Sequence, residues 1–112
     1  MFWKKKEPGH SALVEIEPVE ASARLARGEI VLVDVREHHE IAAEWIPGAL
    51  AMPLSQFDPA NLPDGEVVLS CLGGKRSAAA LARCREAGVA VNTHMRGGLM
   101  AWKAAGLPTG RD

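Results

Sequence analysis

Two short runs constrain this chain more than any other feature. IVLVDV, Ile30 to Val35, and EVVLS, Glu66 to Ser70, are apolar and rich in valine, without the polar alternation of a strand wetted on one side. Such runs suit strands covered on both faces, and a strand covered twice needs helices above and below its sheet. The segments around them supply those helices. PVEASARLAR, from Pro18, places Val19, Ala23 and Ala26 on one helical face, with Gly28 just past its end. EHHEIAAEW is a short helical stretch closed by Pro47 and Gly48, and Ser77 to Ala87 is the clearest helix, stopping at Gly88. LMAWKAAG follows the Gly97-Gly98 turn as a closing helix. ALVEI (Ala12 to Ile16), ALAMPL and VAVN (Val89 to Asn92) read as further short strands, and SQFDPANLPDGE as a proline-punctuated loop. Strands and helices in alternation predict an α/β domain with a parallel sheet and helices on both faces.

The 112 residues suffice for one hydrophobic core, so residues 11 to 112 are expected to form a single domain behind a flexible tail at residues 1 to 10. That tail pairs Phe2 and Trp3 with Lys4, Lys5 and Lys6 but lacks the apolar stretch of a secretory signal, and a solvated tail without membrane contact is expected. A formal net charge of -1 gives no reason to expect nucleic acid as a partner, so any basic site must be local. Two cysteines, Cys71 and Cys84, are too few for a disulfide framework and suit a reducing, cytoplasmic location.

One stretch serves more than a core. In VVLSCLGGKRSAAALA, Val67 to Ala82, a cysteine ends an apolar strand, and two glycines and two cations precede an alanine-rich helix. Ligands of open parallel sheets sit beyond the carboxyl ends of the strands, where Cys71, Asp34 with Arg36, and His94 with Arg96 all fall. A thiol becomes a strong nucleophile only where positive potential favours its thiolate. Gly73 and Gly74 allow inward-turned N–H groups, the helix opening near Ser77 adds unpaired N–H groups and a dipole, and Lys75 and Arg76 add full charges. A strand-end cysteine standing alone would read as a small buried hydrophobe, which is the reading given to Cys84 within its helix.

The ordered set VDVRE, IPGA followed by PL, CLGGKRS and GGLMAW resembles the single-domain rhodanese family of sulfurtransferases, over about Ala12 to Thr109. The resemblance implies a three-layer fold, a five-stranded parallel sheet between helices, with the cysteine strand beside the strand ending in Asp34-Val35-Arg36. It also implies a reaction. Cys71 takes the outer sulfur of a small anionic donor such as thiosulfate, and the resulting persulfide passes it to a thiol or cyanide-like acceptor, or to a protein acceptor in a sulfur relay.

On this basis the amides of Leu72, Gly73, Gly74, Lys75, Arg76 and Ser77 are expected to cradle the anion. Lys75 and Arg76 are expected to orient the donor, Arg76 also bracing the loop, and Asp34 and Arg36 to support neighbouring loops. His94 and Arg96 are candidates for the mouth of the site. No cofactor and no metal are expected, since the adjacent His38 and His39 do not converge on one ion. Where family members often carry Gly-His before IPGA, this chain has Glu44-Trp45, which leaves the role of that corner open. Cysteine-dependent phosphatases use the same physics, but their loop places five residues between cysteine and arginine, and only four stand between Cys71 and Arg76 here. An arsenate reductase of similar architecture is a further alternative; the retained cysteine and full loop argue against a binding module without activity, while a small-molecule enzyme and a persulfide carrier in a protein relay would use the same residues.

Overall fold

The structure is a computed structural model and describes residues 13–112. The expected tail at residues 1 to 10 therefore lies outside the described residues. Five strands, β1 (Val14–Ile16), β2 (Val31–Asp34), β3 (Leu50–Ala51), β4 (Val67–Ser70) and β5 (Thr93–Met95), form one parallel sheet in the order β1-β5-β4-β2-β3. They alternate with helices α1 (Pro18–Ala26), α2 (His38–Ala43), α3 (Lys75–Glu86) and α4 (Gly98–Ala104).

The two apolar runs become the adjacent strands β2 and β4, paired from Val31 with Val67 to Asp34 with Ser70. Because side chains alternate across a strand, each strand feeds two cores. Leu32, Val68 and Met95 pack with Ala21 of α1 and Leu99 and Trp102 of α4. Val33, Val35, Val67, Leu69 and Cys71 pack on the opposite face with Ala80, Leu81 and Cys84 of α3. The same alternation turns Cys71 toward α3 and, in β5, turns His94 away from Met95 and onto that face as well. Trp102 is the largest side chain of the first core and donates its indole N–H to Pro108 O at 2.8 Å.

Two local expectations are corrected. The buried face of α1 is Pro18 and Ala21 with half-buried Leu25, while Val19, Ala23 and Ala26 face solvent. Pro18, seated in the core at the first turn, sets the phase of the helix, and the apolar residues one step away rotate outward. The last strand is Thr93–Met95 rather than VAVN. The Val89 N–H is bonded to Cys84 O (2.8 Å) in the turn that stops α3, so its backbone closes a helix instead of joining a sheet. Val89 and Val91 still cover the α3-side core with their side chains.

Candidate active site

The loop from Cys71 to Gly74 joins β4 to α3, and its geometry centres on one sulfur. Cys71 is 1% exposed. Its Sγ accepts the N–H of Gly74 at 3.0 Å and of Ser77 at 3.3 Å, and lies 3.5 Å from the Ser77 hydroxyl. The first N–H groups of a helix have no partner within it, and here two at the opening of α3 are aimed at the sulfur. Gly74 makes this possible. It sits at φ +108 as the residue preceding α3, a conformation that costs an L side chain dearly. Gly73, expected to turn with it, stays outside the positive-φ region.

Two effects compete over the thiol. Burial is the larger single influence and pushes its pKa up, but the Ser77 hydroxyl and the N–H groups of Ser77, Gly74 and Gly73 together outweigh it, and the net position is below that of an ordinary thiol. Cys84, buried without such donors, is pushed up. The amides of Leu72, Lys75 and Arg76 make no hydrogen bond to Sγ, so the inward donors are fewer than the six of the whole loop.

The loop is clamped from α4. Leu99 N–H donates to Cys71 O (2.8 Å) and Met100 N–H to Leu72 O (3.0 Å). Gly98 permits this approach: a Cβ there would meet Cys71 O and lie 2.7 Å from the carbonyl carbon and oxygen of Leu72. Nothing in CLGGKRS itself announces this dependence on GGLMAW; it arises from β5 lying beside β4.

Arg76 turns from the sulfur to α2, where its guanidinium grips the Glu40 carboxylate through two bonds of 2.6 and 3.0 Å. That hydrogen bonding is the main reason the Glu40 pKa falls to about 2. Glu40 also accepts the Glu37 N–H, and Glu37 holds the N–H and hydroxyl of Ser55. Lys75 is exposed at the start of α3. Asp34 and Arg36 form a buried pair, Nη2 to Oδ2 at 2.8 Å, and Arg36 Nη2 also donates to Glu44 O at 2.8 Å. Of the acidic partners open to Arg36, it uses Asp34, and only the backbone of Glu40 and Glu44.

His94 lies under the loop, 3% exposed, with Nδ1 2.6 Å from Ser77 Oγ. Arg96, 62% exposed, turns away and pairs with Glu15 and Glu17 at 3.9 and 3.7 Å. Glu15, Glu40, Gly98 and the link from Ser77 to His94 were not legible in the sequence, although strand alternation from Met95 points His94 inward. The Glu44-Trp45 corner secures the end of the chain: Trp45 and Gly110 exchange backbone bonds of 3.0 and 2.7 Å, and the Glu44 carboxylate takes Lys103 Nζ and the Thr109 hydroxyl. Among the described residues no three His, Cys, Asp or Glu side chains converge as metal ligands would, and no helix is long and apolar enough to cross a membrane.

The family model described as Rhodanese-like domain matches residues 17–105. The uncharacterized protein slr1261 of Synechocystis sp. is 43% identical over 99 residues, which are 86% of this chain and 55% of that protein. A protein of Allochromatium vinosum named Sulfurtransferase is 40% identical over 98 residues, 84% of this chain and 92% of its own. The chain thus spans about half of the first relative and nearly all of the second. The crystal structure of a rhodanese-related protein from Thermoplasma volcanium shares the fold with a TM-score of 0.75 at 23% identity, over 88% of this chain and 99% of that one.

Proposed function

The chain belongs to the rhodanese-like domain family, and from that premise we propose that it is a sulfurtransferase working through a persulfide on Cys71. The thiolate attacks the outer sulfur of a small anionic donor such as thiosulfate. A bond forms from Cys71 Sγ to that sulfur, the donor's sulfur–sulfur bond breaks, and sulfite leaves with the electron pair. The terminal sulfur of the persulfide is anionic, and N–H groups turned into the loop stabilise such charge as it develops. A thiol or cyanide-like acceptor then takes the outer sulfur and returns Cys71 to its thiolate.

The observation that carries this reading is the pair of N–H bonds from Gly74 and Ser77 to Cys71 Sγ. Lys75, exposed beside the loop, is the cation we assign to drawing in the donor. With its guanidinium held by Glu40, Arg76 serves as the brace of the loop rather than as an anion clamp, which weighs against a phosphatase. Both cysteines are free thiols, in keeping with a reducing, cytoplasmic setting.

A second reading concerns the acceptor. Leu72 and Met100 are 39% and 62% exposed, and the backbone bond between them joins them into an apolar rim beside the loop. Such a rim suits a protein acceptor in a sulfur relay better than it suits cyanide.

The test is the intact mass after exposure to thiosulfate. The protein gains one sulfur atom, located at Cys71 by peptide mass, and loses it to cyanide as thiocyanate; Cys71→Ser does neither. Turnover of thiosulfate by Cys71→Ser, or faster hydrolysis of a phosphate ester than sulfur transfer, would overturn the assignment.

A further inference from the structure

Beneath the cysteine loop lies a polar chain whose far end, His94 and Glu15, sulfur transfer as described above leaves unused. β1, β5 and β4 lie side by side, with Glu15 level with His94 and His94 level with Leu69. His94 points to the α3 face, where its Nδ1 is 2.6 Å from Ser77 Oγ, and Ser77 Oγ is 3.5 Å from Cys71 Sγ. On the other side of the ring, Nε2 lies 3.2 Å from Glu15 Oε2. That carboxylate sits off the direction of the ring N–H, so Nε2 makes an electrostatic contact there and no hydrogen bond. A buried imidazole with one nitrogen on a hydroxyl and the other facing a carboxylate is an unusual expense for a core that needs only packing.

The Ser77 hydroxyl has one proton and three acceptors within reach: His94 Nδ1, Gly74 O at 3.2 Å and the sulfur. A carboxylate beside Nε2 favours the tautomer that keeps its proton there, which leaves Nδ1 as the acceptor and the nearest of the three. In that state the serine oxygen offers the sulfur only lone pairs, and Cys71 can remain a thiol donating to it. If Nδ1 carries a proton, His94 donates to the serine instead, and the hydroxyl proton is free for the sulfur.

We propose that Glu15, His94 and Ser77 form a relay that moves the Cys71 thiol proton onto the His94 ring, leaving a thiolate and an imidazolium joined through one hydroxyl. The S–H bond breaks with its electron pair left on sulfur. Its proton bonds to Ser77 Oγ as the original hydroxyl proton passes to Nδ1, so the hydroxyl is regenerated and no electrons change hands. Glu15 balances the imidazolium. Charged groups on the elements around the ring are few: β1 brings Glu15, itself 3.9 Å from Arg96; β4 leads into the loop that carries Cys71; and α3 opens with Lys75 and with Arg76, whose charge is taken by Glu40. His94 is a positioning residue in this scheme, acting on the sulfur through Ser77.

The proposal rests on Cys71 being the working thiol and is tested without any sulfur donor. Iodoacetamide alkylation of Cys71 is followed against pH by peptide mass in the full chain and in His94→Asn, Ser77→Ala and Glu15→Gln, each checked for folding by circular dichroism. Asparagine keeps an amide near the place of Nδ1 but cannot store a proton. His94→Asn and Ser77→Ala are expected to move the inflection upward and slow alkylation near neutral pH about tenfold, the effect of one unit in a thiol pKa; Glu15→Gln moves it less.

Side-chain 15N spectra of the unaltered protein are expected to report a charged His94 ring while Cys71 is a thiolate, and a neutral ring once Cys71 is alkylated. A folded His94→Asn variant with the unaltered inflection, or a neutral ring beside the thiolate, overturns the proposal. If the variant does not fold, the ring spectra alone decide. A chain that fails to take sulfur from thiosulfate yet shows this coupled titration keeps the relay and loses the sulfurtransferase reading.

Discussion

Replacing Gly98 by alanine should damage the site from outside its own loop. The added Cβ would meet Cys71 O and stand 2.7 Å from the carbonyl carbon and oxygen of Leu72, all of them backbone atoms that cannot rotate aside. Gly98 also sits at φ +58, where an L side chain is strained. Positive φ costs alanine about 1–2 kcal/mol, and overpacking against a rigid neighbour about 1–3 kcal/mol. The sum, roughly 2–5 kcal/mol, corresponds to a fall in Tm of about 8–20 °C for a domain of this size. Strain relieved by moving the loop lengthens the bonds from Leu99 and Met100 to the carbonyls of Cys71 and Leu72, and disturbs with them the alignment of Gly74 and Ser77 on the sulfur. Urea and thermal denaturation measure the first effect, and the pH dependence of Cys71 alkylation measures the second. A Gly98→Ala protein within about 0.5 kcal/mol of the original, the range of surface substitutions, and with an unmoved alkylation profile would refute the clamp.

Arg36→Met leaves the Asp34 carboxylate buried without its guanidinium and should cost about 3–5 kcal/mol in urea denaturation, whereas replacing both residues by apolar ones of similar size should restore much of the loss. Glu40 carries a pH signature. Its folded pKa of about 2 lies below the ordinary 4.5, so its contribution is complete above pH 4.5 and is lost as pH falls through about 2. Denaturation from pH 7 to 2 should therefore show Glu40→Gln less stable at neutral pH by about 0.5–1 kcal/mol, since the pair with Arg76 is part-exposed, with most of the difference gone by pH 2. Equal differences at both ends would count against the pair.

Much of the fold was readable because it depends on local chemistry. Ile30 to Val35 and Glu66 to Ser70 are short, valine-rich and flanked by helix signals, and the parallel sheet follows from that alternation. The phase of α1 escapes such a reading because Val19 and Ala26 look as apolar as Ala21; what decides is the seating of Pro18, a tertiary fact. VAVN has the composition of a strand, yet the Val89 N–H is committed to the end of α3.

The site divides in the same way. Cys71 and the glycine that turns Gly74 N–H inward are visible as a motif because the loop makes them from neighbouring residues. Arg76 also belongs to that motif, but its partner, Glu40, comes from another helix 36 residues away. Gly98 and Glu15 matter through strand order and register, which no local pattern carries.

Titration of the thiols by their ultraviolet thiolate absorbance tests the central claim most directly, since Cys71 and Cys84 occupy the same core with and without inward N–H donors. One thiol, identified as Cys71 by its loss in Cys71→Ser, should titrate below the ordinary value of 9.0, and the other above it. A Cys71 inflection at or above the ordinary value, with the fold intact, would contradict the account.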